Sequence, residues 1–126
     1  MRSVLAAVVF LFTASVAAPV IQGAPSVVEA VRTLSEAGST SVVVDLSAPA
    51  PYKLFALDNP RRVVLDLADT VLTDSVQLPR AHGPVLAVRS GVQPGGTLRL
   101  VIETTLDDEP RAMAVAQSTK KVWSSR

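Results

Sequence analysis

Over most of its length this chain alternates apolar and polar residues, the period of a strand with one face buried and one face wet. In Ser41-Val42-Val43-Val44-Asp45-Leu46, the residues Val42, Val44 and Leu46 share a face. From Arg62 to Ala68, Val63, Leu65 and Leu67 lie on one side, with Arg62, Val64 and Asp66 on the other. From Thr97 to Glu103, Leu98, Leu100 and Ile102 oppose Arg99, Val101 and Glu103. Turn formers cut these runs at Glu36-Ala37-Gly38-Ser39, Ser47-Ala48-Pro49-Ala50-Pro51, Asp58-Asn59-Pro60, Ala81-His82-Gly83-Pro84, Gln93-Pro94-Gly95-Gly96 and Asp107-Asp108-Glu109-Pro110. That punctuation predicts about seven or eight short strands and an all-β domain. Only Val27–Leu34 admits a helix, and its β-branched valines favour a first strand.

The alternation also repeats. Ser41–Leu57 lies over Arg99–Val115 without a gap, Val44-Asp45 falling on Ile102-Glu103 and Phe55-Ala56-Leu57 on Met113-Ala114-Val115. Short amphipathic hairpins can align this well by pattern alone. Taken as a true repeat, the overlay predicts a sandwich of two related antiparallel sheets with an approximate internal two-fold repeat.

The N-terminus has a different character. Arg2 precedes a continuous apolar run, Val4–Phe12, and then the small residues Thr13-Ala14-Ser15-Val16-Ala17-Ala18. This is the order of a secretory signal, and the run is too short for a spanning helix of about 20 residues. Ser15 and Ala17 favour cleavage after Ala17, whereas a cut after Ala18 would place Pro19 next. The expected organisation is a signal over 1–17, a flexible leader over 18–26 and one β-sandwich domain over 27–126. The protein is expected in the periplasm, with no stable membrane insertion once the signal is removed. Lys and Arg number 12 against 11 Asp and Glu, and loss of Arg2 balances them. A neutral chain lacks the cationic surplus of a nucleic-acid binder. With no cysteine in the chain, an exported domain of this size is held by its core alone.

Catalytic chemistry is sparse. His82 is the only histidine and sits beside Gly83-Pro84, a solvated loop setting. A zinc site would need thiolates or more imidazoles, and no Gly-x-Ser-x-Gly elbow supplies a nucleophile. Asp107-Asp108-Glu109 lacks the alternating ligands of a calcium loop, and Gly95-Gly96 lacks the lysine and helix of a phosphate cradle. No cofactor and no enzymatic activity are expected, which leaves a binding module.

The stretches TSVVVDLSAPAPYKLFALDNPRRVVLDLADT and VLAVRSGVQPGGTLRLVIE resemble the AMIN domain, the non-catalytic N-terminal module of periplasmic N-acetylmuramoyl-L-alanine amidases, also found before type IV pilus secretins. The resemblance covers Val27 to Ala116. It implies a two-sheet sandwich that binds peptidoglycan and directs its carrier to the division septum, with septal or envelope proteins as further partners. Hydrolysis would belong to a separate zinc domain. Family members place an arginine where this chain has Ser41; the repeat puts Arg99 at the equivalent second-half position. Ser118–Ser124 overlays Pro60–Asp66 but stops short of a full final strand. Two alternatives stay open: a truncated or degenerate fragment of a zinc amidase, and a secretin-type assembly module working through protein contacts.

A peptidoglycan binder needs cations for peptide carboxylates and an aromatic face for sugars. The candidates are Arg99, Arg62 and Arg89, with Tyr52 and Lys53 on the neighbouring strand. Surface arginines more often serve solubility and cross-strand pairing, here with Asp45, Asp66 or Glu103. Low aromatic content, 4%, argues for modest affinity.

Overall fold

The alternating runs become strands, and the turn formers separate them. The computed structural model describes residues 5–13, 25–36 and 38–117. Among them are β1 (Leu5–Thr13), β2 (Ser26–Glu36), β3 (Ser39–Leu46), β4 (Tyr52–Leu57), β5 (Arg62–Leu67), β6 (Thr70–Leu72), β7 (Val85–Gln93), β8 (Thr97–Thr104) and β9 (Arg111–Gln117). One sheet has the order β6-β2-β3-β1-β9 and the other β4-β5-β8-β7. The two pack face to face as an all-β sandwich. The cleavage point after Ala17, residues 18–24 of the leader and a last strand over 118–126 lie outside the described residues.

The core is the inner half of each alternation. Val42, Val44 and Leu46 of β3 meet Val63, Leu65 and Leu67 of β5 and Leu98, Leu100 and Ile102 of β8. Leu46, Leu65, Leu67 and Leu100 are fully buried. Each such side chain contributes about 1.5–3 kcal/mol on leaving water. Ser26, expected to close the flexible leader, instead opens β2: it is buried, and its hydroxyl donates to the Ala48 carbonyl at 2.6 Å.

The repeat is visible in the strands. A shift of 58 residues carries Ser39–Leu46 onto Thr97–Thr104, the full extents of β3 and β8. The same shift lays β2 over β7 and β4 over β9. Both β2 and β7 break register at matching points, opposite Leu46/Asp45 in one half and Thr104/Glu103 in the other.

Two differences from expectation stand out. The β4-β5-β8-β7 sheet is antiparallel throughout. The other is mixed, because β1 runs parallel to both β3 and β9, and β6 runs parallel to β2. Second, the apolar run read as the core of an export signal supplies β1, with Val8 and Phe10 buried in the sandwich. Alternation could not reveal this strand, because the run is apolar on both faces.

At the β4–β5 corner the Asn59-Pro60 bond is cis and Asn59 has φ 63°, a left-handed conformation asparagine tolerates. Arg61 fixes this corner to the β8–β9 connection. Its Nε donates to the Leu106 carbonyl at 3.2 Å and one Nη to the Asp108 carbonyl at 2.9 Å, while the other pairs with Asp58 at 3.1 Å. The guanidinium thus satisfies carbonyls far away in the chain, a role that belongs to the fold.

Leu100→Ala is expected to lower unfolding stability by about 2–5 kcal/mol and Arg61→Ala by about 1–2 kcal/mol. Urea midpoints at constant m-value check both; an Arg61→Ala midpoint equal to wild type would remove the corner's proposed anchor.

Candidate ligand-binding face

The outer face of the β4-β5-β8-β7 sheet is a grid set by cross-strand register. One row runs Lys53, Asp66, Arg99, Gly91; the next Phe55, Val64, Val101, Arg89; the third Leu57, Arg62, Glu103, Ala87. Strand alternation sends these residues outward because their neighbours Leu54, Leu65, Leu100 and Val88 belong to the core. Val64 is 1% exposed although it lies on the outer face, so neighbouring side chains close over the middle row. The Arg99 guanidinium is 5.7 Å from the centroid of the Phe55 ring, within cation–π range.

Arg99 and Asp66 form a two-pronged pair. Nε donates to Oδ1 at 2.7 Å and Nη2 to Oδ2 at 2.8 Å. Arg99 donating to it holds the Asp66 carboxyl below its ordinary range, against the opposing effect of burial and with help from the charges of Arg99 and Lys53. The carboxylate in turn holds the Arg99 proton more tightly than usual. Nη1 of Arg99 makes no hydrogen bond among the described residues.

The other expected site residues divide. Lys53 is exposed in the same row as Asp66 and Arg99. Arg89 lies diagonally from Arg99, has 64% of its side chain exposed and approaches Glu103 only to 3.8 Å. These three share the face. Arg62 is on the face by register, but its guanidinium turns back on the corner, Nε donating to the Pro60 carbonyl at 3.0 Å and Nη2 to that of Asp58 at 3.2 Å. Tyr52 is on the opposite side of β4 from Lys53, where its ring meets Phe10 of β1 edge to face at 4.6 Å. It stays half exposed at the sandwich edge and, with Pro51, Lys53, Asp66, Ala68 and Thr97, lines an open hollow. Phe55 and Gly91 were not among the residues expected from sequence. The signal for Phe55 was its parity with Lys53 along β4; Gly91 carried none until β7 was in register.

No three His, Cys, Asp or Glu side chains come together as metal ligands among the described residues. What the face can do is hold an anion between cations beside an apolar strip.

Fold and face together define a small β-sandwich module with a cationic outer ladder. Residues 30–125 match the family model of the AMIN domain, and the chain belongs to that family. It is 36% identical over 98 residues to N-acetylmuramoyl-L-alanine amidase AmiC of Escherichia coli O6:H1, covering 74% of this chain and 24% of the amidase. The chain thus spans about a quarter of that relative.

A carboxyl held below its unfolded pKa adds stability that is complete above the unfolded value and fades as pH falls through the folded one. Asp66→Asn is therefore expected to cost roughly 1–2 kcal/mol near pH 7, a charge-assisted bond reduced by solvent screening. It should also flatten the decline of stability as pH is lowered from about 5 to 2. Thermal midpoints across that window decide it; parallel curves for wild type and variant would show the pair to be energetically silent.

Proposed function

We propose that this chain is a non-catalytic peptidoglycan-binding module of the periplasm, of the kind that fronts a cell-wall amidase. Membership of the AMIN family and likeness to an amidase support the class. The observation that carries the binding role is the placing of Lys53, Arg99 and Arg89 on one sheet face, around the Phe55–Val64–Val101 strip. Wall peptides offer carboxylates to such cations. Arg99 is held in place by Asp66 and keeps Nη1 without a hydrogen bond among the described residues. Arg89, 3.8 Å from Glu103 and largely exposed, adds a second guanidinium from β7, and Lys53 adds a point charge on β4. Delivery to the wall would use residues 1–17 as an export signal, and binding would concentrate the module's carrier at septal peptidoglycan.

An arginine pairing with a carboxylate contributes about 1.5–3 kcal/mol, and each 1.4 kcal/mol is tenfold in affinity. Replacing Arg89 and Arg99 together by alanine should weaken co-sedimentation with purified sacculi more than tenfold. Arg62→Ala should change it little, because that guanidinium is turned away to its own corner. Sacculus binding by the double variant equal to wild type, in protein that remains folded by circular dichroism, would remove this face as the site.

A further inference from the structure

We propose that the outer face of the β4-β5-β8-β7 sheet reads the peptide of the wall rather than its sugars, holding two peptide carboxylates at once through Arg99 and Arg89. The inference rests on the wall-binding reading above and deepens it by naming the part of the polymer that is recognised.

The first observation is where the charge sits. Over the whole chain, 12 Lys and Arg nearly balance 11 Asp and Glu. The outer rows of this sheet are not balanced: Lys53, Arg62, Arg89 and Arg99 stand there against Asp66 and Glu103. Arg62 spends its donors on the carbonyls of Pro60 and Asp58, and Glu103 comes no closer to Arg89 than 3.8 Å. A neutral ligand would leave this excess of two cations unused. A ligand with two negative charges matches it.

The second is the edge that Arg99 has left. A guanidinium carries five N–H donors, and its two forked edges each fit a carboxylate. Asp66 fills the edge made by Nε and Nη2. The end-on edge made by Nη1 and the other Nη2 proton remains, on a side chain that keeps 35% of its surface exposed. A second carboxylate can therefore bind without displacing the first, and Asp66 has already fixed the orientation.

The third is spacing. Gly91 stands opposite Arg99 and Val101 opposite Arg89, so the two arginines are diagonal neighbours on adjacent strands. Such neighbours lie about 7–8 Å apart. Residues on one side of an extended peptide recur about every 7 Å. Two acidic groups of one extended peptide thus reach both guanidinium groups. Lys53, two strands from Arg99 in the same row, stands about 10 Å away at the backbone and can take a third on its long stem.

The fourth concerns sugars. A pyranose ring stacks on an exposed aromatic face, and these rows hold one ring, Phe55. The Arg99 guanidinium stands 5.7 Å from its centroid, where a sugar would have to lie. Tyr52 is on the other side of β4, against Phe10. The face is equipped for carboxylates and poorly equipped for stacking.

The test compares carboxylates with sugars on the same polymer. Sacculi treated with carbodiimide and ammonia keep their sugars and exchange carboxylates for amides. Co-sedimentation is expected to fall more than tenfold on such sacculi. In competition, an acetylated stem peptide with its carboxylates free is expected to displace the protein. The same peptide with all but one carboxylate amidated should require at least tenfold more, and N-acetylglucosamine oligosaccharide should not compete. Arg89→Glu reverses an exposed charge and leaves the Arg99–Asp66 pair intact. It should bind untreated sacculi several-fold more weakly than wild type and lose the preference for untreated over amidated ones. Amidated sacculi held as tightly as untreated, or displacement by the oligosaccharide, would overturn the inference and leave wall binding standing. Equal competition by the two peptides would overturn the two-carboxylate site. Untreated sacculi that fail to sediment the folded protein would overturn the wall-binding reading itself, and this inference with it.

Discussion

The pairing of β5 with β8 sets Leu65 opposite Leu100 on the inner face and Asp66 opposite Arg99 on the outer. A slip of one residue would turn both leucines to solvent and both charges into the core. With no cysteine to hold the chain, the register depends on that difference between faces. The charge pair adds to it from outside, because Asp66 meets Arg99 squarely only in this alignment. Core and candidate face are thus two readings of a single pairing, and the other strands extend it: β4 adds Leu54 inward and Lys53 and Phe55 outward, while β7 adds Val88 inward and Arg89 outward.

Where apolar and polar residues alternate over six or more positions, the sequence announced the strand; the three-residue β6 gave no such signal. The alternations in Ser41–Leu46, Arg62–Leu67 and Thr97–Glu103 are legible because the buried and exposed residues differ in chemistry. The repeat was legible for the same reason. What alternation cannot announce is a strand apolar on both faces, and β1 entered the sheet unforeseen on that account. Parallel pairing was hidden too, since a period of two carries no direction.

The candidate site was legible as a set of residue types and much less as an arrangement. Arg62 and Arg99 both stand on outer positions of central strands, and sequence parity alone treats them alike. The difference between them is local: Arg62 follows a corner that exposes the Asp58 and Pro60 carbonyls within its reach, whereas Arg99 faces a carboxylate across the ladder. Tyr52 and Lys53, adjacent in sequence, had to fall on opposite faces of β4. The corner motif Asp58-Asn59-Pro60-Arg61 had structure as its purpose, since Arg61 holds it to carbonyls after β8.

The two halves of the repeat have diverged in charge more than in shape. Where β8 carries Arg99, β3 carries Ser41; yet β3 keeps a carboxylate at Asp45, which meets Arg32 of β2 at 3.1 Å. The same neighbours carry an ion pair in both halves, Arg32–Asp45 on β2 and β3 and Arg89–Glu103 on β7 and β8, and the second half adds Arg99–Asp66 between β8 and β5. In the β5–β8 pair the arginine sits on a central strand, and Arg89 and Lys53 stand on the strands at either edge. In the β2–β3 pair the outer positions next to Asp45 and Val43 are Leu11 and Val9, so the surroundings are apolar. A carboxylate approaching the β4-β5-β8-β7 sheet meets Lys53, Arg99 and Arg89, with Arg99 oriented by Asp66; on the other sheet Arg32 pairs with Asp45 and Arg111 stands at the far edge on β9. That asymmetry, built on repeated strands, is why the β4-β5-β8-β7 face is the better candidate for an anionic ligand.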